Sequence, residues 1–249
     1  MSSDSLWMST DEMIAYLKRS SLPTLLVEGS GDKSLLRRIE CELKSRDISI
    51  QPVGGKGSID TIFSKKEEIG RKDVVFLRDR DDWVIFGAPE RAEEIILTTG
   101  YSIENDVLDY AVICKLANPN QSALDAAVDG VSTWFMHAMY GLKAGDSVDV
   151  SRDVSFIWDG VTHLPEAVAD IKKYQPNADF KENFSGNRWI WLRGKTLLRT
   201  VHYCLSNGTP RYNKDQIVDL CIRLGPSHNF LDLVDRILSR FPSQEIDTP

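Results

Sequence analysis

The sequence predicts an α/β fold with a parallel sheet covered by helices on both faces. Three observations support this: short apolar runs alternate with helical stretches of about a dozen residues, glycine-containing turns join them, and acids stand at the ends of two of the runs. In open parallel sheets the loops beyond the carboxyl ends of the strands carry the chemistry, so those acids fall where a site is expected.

Taken in order, Ser9 with Glu12 has the form of a capping box and opens an amphipathic helix to about Arg19, which Ser20-Ser21-Leu22-Pro23 ends. Thr24-Leu25-Leu26-Val27 reads as the first strand, closed by Glu28, and Gly29-Ser30-Gly31 turns the chain into a helix from about Asp32 to Ser45. Ile48 to Val53 reads as a second strand, Gly54-Gly55-Lys56-Gly57 as a turn, and Ser58 to about Gly70 as a second crossover helix. Val74-Val75-Phe76-Leu77 is the third strand, followed by Asp79-Arg80-Asp81, and Ile95-Ile96-Leu97-Thr98 the fourth, followed by Tyr101-Ser102-Ile103-Glu104-Asn105. From Val107 to Tyr140 the pattern is helical. Gly141 to Val150 is a polar connection, and Pro165 to Tyr174, Leu192 to Leu205 and Phe230 to Phe241 read as further helices. The expected organisation is an N-terminal helix over 1–23, a sheet domain over 24–110, and a mainly helical C-terminal region over 111–249.

With 249 residues, 42% hydrophobic and 27% charged, the balance is that of a globular chain and excludes a mostly disordered one. No apolar run nears the roughly 18 residues of a membrane span, and the first residues lack the order of a signal peptide, so a cytoplasmic protein without membrane insertion is expected. The four cysteines, Cys41, Cys114, Cys204 and Cys221, form no CxxC pair and read as buried free thiols. The net charge of -7 argues against a broadly basic surface, but the average conceals an asymmetry. Ten acids face three arginines between Asp73 and Asp109, whereas eight Lys or Arg face three acids between Phe180 and Arg223. The first stretch suits cations and the second suits phosphates.

Asp79 and Asp81 are one residue apart beyond a buried strand, and in an irregular turn both carboxylates can converge on one cation. Hard magnesium or manganese ions take such oxygen ligands. A bare Asp-x-Asp is weak by itself, since surface turns use Asp freely; Glu28 at the same sheet edge strengthens it.

This combination resembles the Toprim domain of topoisomerases, primases and related nucleases, whose pattern is a Glu-Gly pair ending the first strand and an Asp-x-Asp ending the third. Glu28-Gly29 and Asp79-Arg80-Asp81 match it, and the resemblance covers roughly residues 24 to 105. The chain is more closely similar to the Toprim-like nucleases of the overcoming-lysogenization-defect group and to the stand-alone Toprim effector of the PARIS anti-phage system. Their pattern adds an acid four residues after the first glutamate, a Gly-Gly-Lys-like turn, a Ser-Ile-Glu-Asn-like box and a later Gly-Lys. Asp32, Gly54-Gly55-Lys56, Ser102-Ile103-Glu104-Asn105 and Gly194-Lys195 match these. The chain departs from the pattern at Arg78, where an apolar residue is common, and it contains no GxxxxGK[ST] loop.

The resemblance implies a Toprim, Rossmann-like sheet and a magnesium- or manganese-dependent endonuclease. Asp79, Asp81 and Glu104 would hold one divalent ion, Glu28 and Asp32 would complete that site or hold a second, and Lys195 would offset charge on phosphoryl oxygens. Glu28 and Lys195 are then the catalytic residues, with Lys56, Arg193, Lys195 and Arg199 as nucleic-acid contacts. The implied substrate is transfer RNA or DNA, the former favoured by the small chain and the missing ATPase loop. The implied setting is abortive infection in anti-phage defence, under a partner ABC-type ATPase, with a homodimer as one form of the active state. The alternative is a Toprim module that binds metal without cutting and docks on the ATPase.

Each residue also has a plainer use. Glu28 suits a helix N-terminus, Asp32 is equally an N-cap and a ligand, and Asp82, Asp106 and Asp109 read as solvated. Lys195, Arg199 and His202 share one helical face, which is equally an ordinary solvated one for the last two. Trp189, Trp191, Phe184, Tyr203 and Tyr212 interleave with Arg188, Arg193 and Arg211, a mixture that serves base stacking or a core. His137, His163 and His228 read as structural, and Phe230 to Phe241 as a core helix first and a docking or dimerisation surface second.

Overall fold

The structure, a computed structural model, describes residues 8–29, 33–43, 47–89, 92–206 and 211–241. Its elements run α1 (Thr10–Arg19), β1 (Thr24–Val27), α2 (Lys33–Leu43), β2 (Ser49–Pro52), α3 (Lys56–Ser64), α4 (Lys66–Ile69), β3 (Val74–Arg78), α5 (Trp83–Phe86) and β4 (Ile96–Leu97). Then follow α6 (Ile103–Val107), α7 (Tyr110–Ala117), α8 (Gln121–Lys143), α9 (Pro165–Lys173), α10 (Ala178–Gly186), α11 (Arg188–Trp191), α12 (Gly194–Ser206), α13 (Lys214–Leu224) and α14 (His228–Arg240). The protein is therefore α/β, with a four-stranded, all-parallel sheet in the order β2-β1-β3-β4 flanked by helices, and it falls into two compact units.

The first unit comprises Met1–Asp79, Ala88–Thr98 and Phe230–Pro249 and holds the sheet. β1 and β3 are buried at every position, as apolar runs covered on both faces must be. Leu25, Leu26 and Phe76 of the sheet, Ile39 of α2 and Ile59 and Ile62 of α3 are all buried in the core. The capping box expected at Ser9 is present: the Ser9 hydroxyl accepts from Glu12 N–H and the Glu12 carboxylate accepts from Ser9 N–H. At the other end of α1, the Arg71 guanidinium donates to the carbonyls of Leu17, Ser20 and Leu22 and is paired with Asp73 at 2.6 Å. That hydrogen-bonded pair holds the Asp73 carboxyl below the usual carboxylate range. α14 buries Phe230, Leu233, Val234 and Ile237, the core use expected of that stretch.

The second unit, Arg80–Gly87 and Thr99–Asn229, is helical. α8 and α12 pack on one another, with Trp134, Phe135, Leu197 and Val201 fully buried. Two long helical readings break in the structure for local reasons. Val107 to Tyr140 divides at Asn118-Pro119, because Pro119 lacks an amide proton and restrains the residue before it. Ser58 to Gly70 begins two residues early, at Lys56, and divides at Lys65, where φ is -104°. α8 runs on through Lys143, into the stretch expected as a connection, before Gly145 turns the chain at φ 90°. The four cysteines are free, but of these only Cys221 is buried.

Two tests follow from the helical unit. An ideal Cβ at Gly130 would stand 2.5 Å from ring atoms of Trp158, so Gly130→Ala, despite the better helix propensity of alanine, should lower stability by about 1–3 kcal/mol in urea denaturation. His137 donates from Nδ1 to the Tyr174 carbonyl, and burial pushes its pKa below the ordinary histidine value. With the native pKa depressed, the unfolded chain binds the extra proton first, so this contribution is present above about pH 6.5 and fades as the pH falls. Denaturation at pH 5 and 7 should show a smaller loss for His137→Gln than for the parent.

Candidate functional site

The expected site residues divide between the two units. Glu28, Asp79 and Lys56 belong to the first; Asp81, Glu104, Arg193, Lys195 and Arg199 belong to the second. Asp32 lies outside the described residues.

In the sheet unit, three strand ends carry the expected residues on one edge. β1 lies between β2 and β3, with Val27 opposite Pro52 on one side and Leu77 on the other. Glu28 follows Val27 directly, and Asp79 follows the last residue of β3; both are half-buried. Parallel neighbours are about 4.8 Å apart, so the register brings these two carboxylate-bearing residues to adjacent positions on that edge. Beyond β2, Val53 N–H donates to the Val27 carbonyl at 3.0 Å and Gly55 N–H to the Glu28 carbonyl at 2.7 Å, which folds the turn over the end of β1. Gly54 and Gly55 take φ of 82° and 129°, left-handed values that favour glycine, and Lys56 starts α3 immediately after. Arg78, the departure from the resembling pattern, is the last residue of β3 and only 2% exposed; its Nη1 lies 3.1 Å from Asp60 Oδ1 on α3. A buried guanidinium needs such a counter-charge.

In the helical unit, Asp81 adopts φ 52° and its N–H donates to the Tyr101 carbonyl at 2.7 Å, while Tyr101 N–H donates to Ile190 O at 2.8 Å. Ser102 and Asn105 form a capping box at the start of α6, and Ser102 Oγ donates to the carboxylate of Glu104, which is 1% exposed. Asn105 Nδ2 donates to the carbonyls of Trp189 and Leu192 at 2.7 and 2.9 Å. Gly194 packs directly on this box: an added Cβ would lie 2.2 Å from Ser102 Oγ, 2.6 Å from Asn105 Oδ1 and 3.0 Å from Glu104 Cβ. Two motifs distant in the chain, Ser102–Asn105 and Gly194-Lys195, are thus brought together. Lys195, next along α12, is exposed and Arg193 is half-buried.

Other expected roles are modified. Arg199 is 3.3 Å from Asp153, so its charge is partly matched within the chain. His202 has its pKa pushed down, by burial first and by Lys214 second, which disfavours a phosphate-binding cation there. Asp106 is not solvated: it is fully buried, and its two carboxylate oxygens accept from Thr99 and Gly100 N–H at 2.8 and 2.7 Å. Asp109 caps α7 through Val112 N–H. His163 is structural, with Nε2 2.7 Å from Gly130 O. The sequence reading missed Asn105 as a bracing residue and the pairing of Arg188 with Asp129, for which the sequence carries no local signal.

Magnesium-class ions are commonly held by one or two carboxylates, with water and substrate completing the shell. Glu28 and Asp79, hard oxygen donors at neighbouring strand ends, fit that mode. Among the described residues, no group of three or more His, Cys, Asp or Glu side chains is arranged to hold a metal ion, and no helix is long and apolar enough to cross a membrane. Compared with known families and with curated proteins, the sequence matches no family model and no curated protein.

Asn105→Ala should cost at least about 2 kcal/mol, because two carbonyls of the α11 turn and the Ser102 amide lose their partner in a protein interior. Urea denaturation of the variant beside the parent measures it.

Proposed function

We propose that the chain is a magnesium- or manganese-dependent endonuclease with a Toprim-type acidic site. In this reading it is an effector of anti-phage defence that cuts RNA, transfer RNA before DNA, under a partner ABC-type ATPase. The observation that supports it most directly is the edge of the sheet unit, where Glu28 and Asp79 leave neighbouring parallel strands beside the Gly54–Lys56 turn. The packing of Gly194 on the Ser102–Asn105 box is in keeping with it. The defence setting, the ATPase and the choice of RNA rest on the resemblance of motifs alone.

A bound divalent ion would supply Lewis acidity toward a phosphoryl oxygen. Glu28 and Asp79 would serve as its oxygen donors within the sheet unit, and the role of Asp81 and Glu104 as further donors rests on the motif resemblance alone. By the same resemblance Lys195, exposed on the first turn of α12, would offset charge developing on the phosphate. Lys56 and Arg193 contact the strand, and Arg199 contributes less because Asp153 shares its charge.

The test is incubation of the purified chain with RNA and DNA in magnesium or manganese. Glu28→Gln, nearly isosteric, should lower cleavage at least about 100-fold with an unchanged melting temperature. Undiminished cleavage by the folded variant would overturn the acidic site. Metal binding by calorimetry with no cleavage of any substrate, with or without the ATPase partner, would instead favour the docking-module reading.

A further inference from the structure

Away from these residues, a cleft of about 270 Å3 opens in the helical unit between α8, α10 and the start of α11. Met136 and Phe184 form its apolar wall, and Asp129, Ser132 and Arg188 its polar side. The wall is rigid, because the Phe184 ring is set among Phe135, Phe180 and Trp191 at centroid distances of 6.1, 6.3 and 5.8 Å. Ser132 is 5% exposed and its hydroxyl has no hydrogen-bond partner. Arg188 Nε is likewise buried and unpartnered, while Nη1 of the same guanidinium lies 3.3 Å from Asp129 Oδ1. Buried polar atoms without partners are costly, and two of them belong to residues that line this one cleft.

The Arg188–Asp129 pair sums to zero charge, which favours a neutral polar ligand over a bare anion. It presents a donor, an acceptor and, through Ser132, a hydroxyl that serves either way. The volume lies below the roughly 300–1,000 Å3 of drug-sized sites, which suits a single planar heterocycle. We propose that this cleft binds one unpaired nucleobase, guanine before the others. The Watson–Crick edge of guanine sets an oxygen acceptor beside two N–H donors, the complement of Arg188 and Asp129, and its ring can lie against Phe184 and Met136. Arg188 opens α11, the turn whose Trp189 carbonyl Asn105 holds, so the base-reading residue and the Ser102–Asn105 box share one support. That the base belongs to a nucleic-acid strand rests on the proposed function; the base preference of the cleft does not.

Calorimetry of the full chain, without divalent metal, with guanosine 5′-monophosphate, adenosine 5′-monophosphate and inorganic phosphate tests the proposal. The guanine nucleotide should bind at least about tenfold more tightly than the adenine nucleotide, with phosphate failing to displace it. Asp129→Asn, at a half-exposed position, should erase that preference with no change in melting temperature, and Ser132→Ala should weaken guanine binding. Displacement by phosphate, equal affinity for the two nucleotides, or no binding of either overturns the assignment. A second arm compares single-stranded RNAs bearing one guanine or one adenine in an otherwise uniform strand. Cleavage without nucleotide binding would remove the base site and leave the nuclease reading, and nucleotide binding without cleavage of any substrate would do the reverse.

Discussion

An interior strand of a parallel sheet must satisfy its backbone amides and carbonyls on both sides, and β1 meets that demand between β2 and β3. Register follows from it, because a slip of one residue would turn each buried side chain to the opposite face. Register in turn decides what stands beyond the strand ends. With Val27 held opposite Leu77, the next residues out are Glu28 on one strand and, one step past Arg78, Asp79 on the other. The placement of these acids is a by-product of packing Leu25, Leu26, Val75 and Phe76 into a core.

In the helical unit the organising element is α11, a single turn whose flanking carbonyls are claimed from elsewhere. Asn105 suits its position because an amide both donates and accepts: Nδ2 reaches two carbonyls while Oδ1 receives Ser102 N–H. Aspartate, ionised, could do only the second. Gly194 suits its position because the box leaves no space for a Cβ. Both residues therefore have a structural reason to be what they are, and the chemistry proposed for their neighbours Glu104 and Lys195 is an additional claim.

Most of the sheet was legible from sequence because its signals are local: four apolar runs, glycine turns, and a Ser9–Glu12 box that the structure reproduces atom for atom. The helix boundaries at Lys65 and Pro119 were not, since the apolar periodicity continues across both. The acids show the same divide. Glu28 and Asp79 were placed correctly at strand ends, but Asp106 was read as solvated because its partners, the amides of Thr99 and Gly100, arise only when the loop folds back. The Arg188–Asp129 pair joins residues on two different helices, a contact that no spacing rule foresees.

Asp81 holds a left-handed backbone, φ 52°, anchored through its amide to Tyr101. Only glycine, asparagine and aspartate take up that conformation readily. An aspartate kept at this position in related chains would therefore not by itself mark a ligand, since the main chain alone favours it, whereas drift to glycine would count against one. A glutamate retained there against the steric preference would be the informative event, since the backbone alone would not select it.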